Sequence, residues 1–468
     1  MTRYEELAQR LRRQIQSQVW LPGDKLPSLR ESCKQSGLSL MTVLQAYQLL
    51  ESQGWVVARP QSGYYVANSP SALPESGGAL HLSEQVDIND AIFDILQAAK
   101  DPTIVPFGSA FPDASLFPQP RLARSLASAV RRMSASSAVA NLPPGNEDLR
   151  RSIAQRYAQQ GIAVAPDDIV ITSGAMESLG LSLQAVTEPG DWVAIESPAF
   201  YGVLQAIERR QLKAVAIPTD VQTGIDLDAL ADALARYPIR ACWLMSNFQN
   251  PLGATLPRAR KQQLVAMLAA RGIALIEDDV YSELYFGPAR PPALRAFDRD
   301  GSTVLHCSSF SKCLAPGFRV GWVAAGPYAA KIQRLQLMST LSASVPTQLA
   351  LADYLHQSGF EPHLRRLRRQ LELRQLAMYR GIQQTFPAGV SISRPEGGYF
   401  LWLTLGQGRD ARTLYRRALA QGISIAPGHM FTTGDQFRDG VRLNSSFPWD
   451  ARHQQAIETL GALVRGLL

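Results

Sequence analysis

Seven apolar runs spaced along residues 168–326 constrain this chain more than any other feature: DIVITSG, WVAIESP, KAVAIP, ACWLMS, IALIEDD, STVLHCSS and RVGWVAAG. Each is apolar almost throughout, and helical patterns lie between them. Strands with two apolar faces need cover on both sides, so the runs predict a mostly parallel α/β sheet wrapped by helices. From about residue 360 the pattern changes to an Arg-rich helix, HLRRLRRQLELRQLAM, with later strand patterns around GGYFLWLTL and ISIAPG. That stretch, about 360–468, reads as a smaller α+β subdomain of a unit running from 87 to 468.

A chain of 468 residues is long enough for more than one folding unit. Apolar residues at 46% and charged residues at 19% exclude disordered and fibrous classes. Lys and Arg total 47 against 40 Asp and Glu, so the net charge of +7 permits a nucleic-acid partner without requiring one. The four cysteines, 33, 242, 307 and 313, lack metal-ligand spacing and are too few to staple this length. No metal site is expected, and a reducing, cytoplasmic setting is. The first residues, MTRYEELAQRLRRQ, are charged from the third position, and no run of about 18 apolar residues follows. The expectation is neither signal peptide nor membrane span.

Residues 1–68 form a separate pattern, followed at 69–86 by a Ser-, Pro- and Gly-rich linker without Lys or Arg. Leu7, Leu11 and Ile15 mark one face of a first helix. LPGDKLPSLRE then gives a turn at Pro22 and Gly23 and a second helix with Ser28 as N-cap and Glu31 completing a capping box. That helix ends near Gly37. Ser39 starts a third, burying Val43, Ala46, Tyr47 and Leu50 and leaving Met41, Thr42, Gln45 and Gln48 toward solvent. Two short helices around a glycine turn are a helix-turn-helix. WVVARPQSGYYVA then predicts a hairpin with Pro60, Gln61, Ser62 and Gly63 at its tip, a wing beside a DNA groove.

PGDKLPSLRE, GLSLMTV and LLESQGWVVARPQSGYYV, in that order, resemble the GntR family of winged-helix regulators over nearly all of residues 1–68. The resemblance implies binding to a double-stranded DNA operator, with contacts from Arg30, Thr42, Arg59 and Gly63. The chain departs from the family at Leu40, where members often carry arginine, and at Leu44, where some do. Base reading then falls to Gln45 and Gln48, which can pair with adenine, and to apolar contact with thymine methyls.

The larger unit carries five scattered pieces of chemistry. Ser173-Gly174-Ala175 ends an apolar run just before a helix, and a helix N-terminus of small residues offers backbone N–H groups to an anion. Asn250 sits before Pro251 in a rigid turn. Asp278 and Asp279 end a strand pattern with Tyr281 close behind, at the edge where ligands lie in open parallel sheets; an Asp there can equally cap the next helix. Lys312, one of only seven lysines, is flanked by Ser309, Ser311 and Arg319, a setting that suits a phosphate beside an amine. Arg442 lies in a late strand pattern.

Together these pieces resemble fold-type I pyridoxal-phosphate enzymes of the aspartate aminotransferase kind over roughly 105–468. The resemblance implies that Lys312 is the catalytic residue, forming a Schiff base with pyridoxal 5'-phosphate. It implies that Asp278 pairs with the ring nitrogen, with Asp279 the alternative. Asn250 and Tyr281 would bond the ring's phenolic oxygen, and Phe200 would stack on its face. Gly174, Ala175, Ser309, Ser311 and Arg319 would hold the phosphate, while Arg442 and Gly108 would bind the substrate. The family's tyrosine that reaches the partner subunit's phosphate is replaced by Ala140. The whole order resembles the MocR group of regulators, a winged helix joined to a fold-type I α/β domain. That implies a homodimer sensing an amino acid or amine, with a working aminotransferase, or a reporter of cofactor supply, as the other readings.

Overall fold

The structure is a computed structural model describing residues 3–67 and 88–467, apart from 18, 22, 54, 60, 61, 358, 407, 433 and 435. The expected linker at 69–86, and the expected turn and wing-tip residues Pro22, Pro60 and Gln61, lie outside the described residues. The chain divides into two compact units, Met1–Glu84 and Gln85–Leu468.

In the first unit, helices α1 (Arg3–Gln16), α2 (Leu29–Ser36) and α3 (Leu40–Ser52) precede a hairpin of β1 (Val56–Arg59) and β2 (Gly63–Val66). Leu7 and Leu11 from α1 meet Val43, Ala46, Tyr47 and Leu50 from α3 in one core. Ser28 and Glu31 form the reciprocal capping box at the start of α2. Gly37, at φ 68°, ends α2 in the left-handed region, and Ser39 caps α3. In the hairpin Arg59 faces Gly63 across antiparallel strands.

In the second unit each of the seven runs becomes a strand of one sheet. Its strands are β4 (Ile169–Thr172), β5 (Trp192–Ser197), β6 (Lys213–Asp220), β7 (Gly224–Ile225), β8 (Ile239–Leu244), β9 (Ala274–Asp278), β10 (Val304–Ser309) and β11 (Gly321–Ala324). They lie side by side as β4-β11-β10-β9-β8-β5-β6-β7. The neighbours β10/β9, β9/β8, β8/β5 and β5/β6 are parallel, while β11 and β7 run antiparallel to theirs. Apolar clusters pack the two faces, as the two-sided runs require. The five parallel strands β5, β6, β8, β9 and β10 therefore end along the same edge, and that edge carries the site.

The smaller subdomain draws in more chain than the pattern from 360 onward indicated. Its four-stranded sheet orders β12 (Ser391–Ile392), β13 (Phe400–Thr404), β16 (Gly440–Asn444) and β15 (Ala426–Pro427). β14 (Ile423–Ser424) pairs with β3 (Val105–Pro106), and helix α4 (Ile88–Ala98) packs Ala91, Ile92 and Ile95 against Trp402, Met430 and Phe431. Conversely the front of helix Phe360–Thr385 gives Phe360, Leu364, Leu367 and Leu371 to the core beside the large sheet. Helical periodicity told which residues of each element are apolar, and not which distant element they meet.

Candidate functional site

The loops after β4, β5, β8, β9 and β10 bring the separate pieces of sequence together. Gly174 is the N-cap of helix Ala175–Val186 at φ 105°, a conformation few side chains tolerate. A Cβ there would stand 2.7 Å from Nη2 of Arg319. The guanidinium of Arg319 therefore lies against the open helix N-terminus, and its Nη1 donates to Ser311 Oγ at 3.4 Å. Gly321 lets β11 approach equally closely, since a Cβ at 321 would lie 2.7 Å from the Ala175 nitrogen. Ser309, buried at the end of β10, accepts from the Ser311 nitrogen through Oγ at 3.4 Å. Free helix N–H groups, a guanidinium and hydroxyls in one place form a site for a phosphate-sized dianion.

Lys312 follows directly. Its Nζ donates to the carbonyl of Ala110 at 2.9 Å and lies 5.2 Å from the ring centre of Phe111. Burial, then the nearby cation of Arg442, brings the Lys312 pKa down to about 8, against the attraction of Asp278. About a tenth of this amine is then unprotonated at pH 7, far more than for an ordinary lysine, which is what a nucleophilic lysine needs.

The two aspartates separate by their partners. Asp279 is saturated: Asn247 Nδ2 donates to Oδ1 at 2.9 Å, and Ser282 Oγ donates to Oδ2 at 2.6 Å. His306 Nε2 and Arg290 Nη2 also reach Oδ2, at 3.0 and 3.3 Å. Burial alone would raise its pKa, but the His306 bond and the Arg290 charge hold the carboxyl below its ordinary range. Asp278 is equally buried, yet its Oδ1 has no partner. Desolvation raises its pKa to about 7, with the Val280 backbone bond opposing and Asp279 adding to the rise. A buried carboxylate with an empty acceptor calls for a cationic N–H.

Arg442 of β16 is buried; Nη1 donates to Asn250 Oδ1 at 2.9 Å and Nη2 to the carbonyl of Gly108. Its guanidinium lies over Phe400 at 4.4 Å and near Phe431 at 5.3 Å, while Nε is without a partner. Tyr281 sits edge-on to Tyr399 and Phe400 at 5.5 and 5.6 Å, and burial raises its pKa. Phe200 caps helix Tyr201–Arg209 with its ring 4.7 Å from Tyr201. The sequence did not point to the Ala110 carbonyl, a backbone group without a side-chain signal. It also did not point to Tyr399, whose hydroxyl shares that carbonyl at 3.0 Å; an aromatic after the Gly397-Gly398 pair was the one available hint.

In the small unit, Arg30, Gln45, Gln48 and Arg59 are exposed. Arg59 stacks on Tyr65 at 4.2 Å. Thr42 is half-buried, and its hydroxyl is 2.8 Å from Ser39 Oγ, so it is partly engaged in the cap. Gly63, at φ 112°, would bring a Cβ to 3.3 Å from Lys25 Cε. Helix α3 has no Lys or Arg.

Residues 113–447 match the model for aminotransferase class I and II. The chain belongs to that family. Ahead of it, residues 3–66 match the bacterial regulatory proteins of the gntR family, and the pair of modules is the architecture of MocR-type regulators. The chain is 57% identical over 467 residues to the uncharacterized HTH-type transcriptional regulator YdcR of Escherichia coli (strain K12), covering 99% of each. It is 31% identical over 380 residues to 2-aminoadipate transaminase of Thermus thermophilus, covering 81% of this chain and 94% of that one. The crystal structure of LysN, the alpha-aminoadipate aminotransferase of Thermus thermophilus, holds N-(5'-phosphopyridoxyl)-L-leucine. It aligns with a TM-score of 0.74 at 30% identity, over 82% of this chain and 95% of that one. Pyridoxal 5'-phosphate is this family's cofactor. The residues here fit it: Asp278 offers an orphaned buried oxygen, and only a glycine leaves room for Arg319 at the helix end. Among the described residues no helix is long and apolar enough to cross a membrane.

Proposed function

We propose that this chain is a cytoplasmic, homodimeric DNA-binding transcriptional regulator that senses an amino acid or amine at Lys312. The observation that carries this reading is the joining of a gntR module to a site with lysine, buried aspartate and arginine all in place. When bound, pyridoxal phosphate supplies an aldehyde that exchanges between lysine and amines and a ring that draws electrons.

The chain's own groups do the rest. Ser309, Ser311, Arg319 and the Gly174-Ala175 helix end bind the phosphate and fix the ring's position. Asp278 Oδ1 would accept the ring N–H, and that ion pair would stabilise the carboxylate that burial disfavours. Asn250 gives its carbonyl oxygen to Arg442 and keeps its NH2 for the ring's phenolic oxygen, beside Tyr281. Phe200 would cover the ring face. Lys312 Nζ holds or accepts the proton that an incoming amine brings, because its pKa lies close to neutral. Arg442, held by Asn250 and Gly108, receives a carboxylate, and its aromatic surroundings exclude water and strengthen the pairing.

In the other unit Arg30 and Arg59 meet phosphates, with Thr42 and the Gly63 turn beside them, while Gln45 and Gln48 face base edges. Two copies would present two half-sites. Effector exchange at Lys312 and DNA affinity are then linked, with a coupling of about 1–3 kcal/mol. A visible absorbance band that borohydride removes, shifted by one amine of a panel, tests the sensing half. A protein that stays colourless with added cofactor contradicts it.

A working aminotransferase is the second reading, favoured by the intact Lys312 and Arg442 and the transaminase relative. Against it, Ala140 ends the short helix Ser137–Ala140, exposed and without a hydroxyl to offer a partner's phosphate. Turnover of amino acid and 2-oxo acid at about 1 per second or faster would favour the enzyme.

A further inference from the structure

A second cavity, of about 210 Å3, lies in the small subdomain between α4 and helix Ala411–Leu419. Its floor is apolar, formed by Ala91, Ile95 and Met430, all buried. Two polar groups line it without partners: Tyr415, whose hydroxyl is buried, and His429, 8% exposed, whose Nδ1 is buried. Buried polar atoms are nearly always paired, so two orphans beside one void mark a place where a bound molecule completes the hydrogen bonding. Burial brings the His429 pKa down to about 4, with Arg412 adding to the effect, so its imidazole is neutral and one ring nitrogen accepts.

The walls carry opposite charge. Arg412 and Arg416, one turn apart on the same face of their helix, line one side; Asp94, one turn from Ala91, lines the other. No ion pair joins Asp94 to either arginine among the described residues. The volume is smaller than the roughly 300–1,000 Å3 of sites for drug-sized ligands and far larger than one water needs. We propose that this cavity is a second small-molecule site, separate from Lys312, for a zwitterion of amino-acid size. The carboxylate meets Arg412 and Arg416, the ammonium meets Asp94, and Tyr415 and His429 supply orienting hydrogen bonds. α4 is the first described helix after the DNA-binding unit in the sequence, so a ligand clamping α4 to helix Ala411–Leu419 acts on the described element next in sequence to that unit.

The test uses full-length protein treated with borohydride, which fixes any cofactor to Lys312 and closes that amine to exchange. Its spectrum reports separately whether cofactor was present, so failure of the Lys312 reading is seen independently. Calorimetric titration with L-alanine, β-alanine, propionate and ethylamine follows. The expected result is one site per chain for an alanine isomer, with propionate and ethylamine at least about tenfold weaker. Arg412→Glu, and independently Ala91→Phe, should weaken the binding at least about tenfold, while Arg442→Lys leaves it unchanged. No heat from either alanine, equal binding of propionate, or an affinity that Arg412→Glu leaves unchanged overturns the proposal.

Discussion

Replacing Asp278 with asparagine should pull apart two properties that usually fall together. In the cofactor-free protein the carboxyl is buried with Oδ1 unpaired, and its pKa is raised from 3.8 to about 7. A raised carboxyl pKa means the folded state holds the proton more tightly. The cost to stability is absent below the unfolded value, grows as pH rises between the two, and is complete above about 7. Three pH units at about 1.4 kcal/mol each give an upper figure of about 4 kcal/mol. Asparagine keeps an oxygen for the Val280 nitrogen and removes the charge, so cofactor-free Asp278→Asn should be more stable than the parent at pH 8, by less at pH 5. Scanning calorimetry of both proteins at both pH values reads this directly. The same substitution removes the partner proposed for the ring nitrogen, so cofactor affinity should fall by about 2–5 kcal/mol. A stability difference that does not change between pH 5 and pH 8 would refute the desolvation argument.

Four other substitutions probe separate parts. Lys312→Ala should abolish the borohydride-sensitive absorbance while keeping the fold. By removing a buried ammonium whose pKa is lowered to about 8, it should also raise cofactor-free stability below pH 8, checked by thermal melts. Gly174→Ala places a Cβ 2.7 Å from the Arg319 guanidinium at a φ of 105°; cofactor titration should show at least about tenfold weaker binding. Arg30→Ala should weaken DNA binding about equally across sequences and reduce the slope of affinity against salt by about one, whereas Gln48→Ala should relax sequence preference with the slope unchanged, both read from binding isotherms at several salt concentrations.

Much of the fold was legible because its signals are local. The Ser28–Glu31 box needs only four residues in a row, and each apolar run states its own two-sided burial. The subdomain border was not legible: α4 joins Trp402 and Phe431 across more than 300 positions, and no periodicity records the partner. The site divides in the same way. Lys312 stood out by residue type and setting, and Asn250 and Arg442 only through the joint resemblance, but Ala110 holds the lysine through a backbone carbonyl that any residue would provide. Asp278 and Asp279 are neighbours in a strand end, so alternation assigns them to opposite faces without saying which faces the lysine. The resemblance chose Asp278 by its spacing to Tyr281, and the four groups around Asp279 and the vacant oxygen of Asp278 support that choice.

The central claim is that chemistry at Lys312 controls affinity for DNA. Its most direct measurement is a titration of an operator, selected from a random DNA pool, with the parent protein and Lys312→Ala, each with and without the amine that shifts the visible band. The account predicts a change in DNA affinity of about 5- to 150-fold for the parent and none for Lys312→Ala. The same change in both proteins, or none in either, would contradict it.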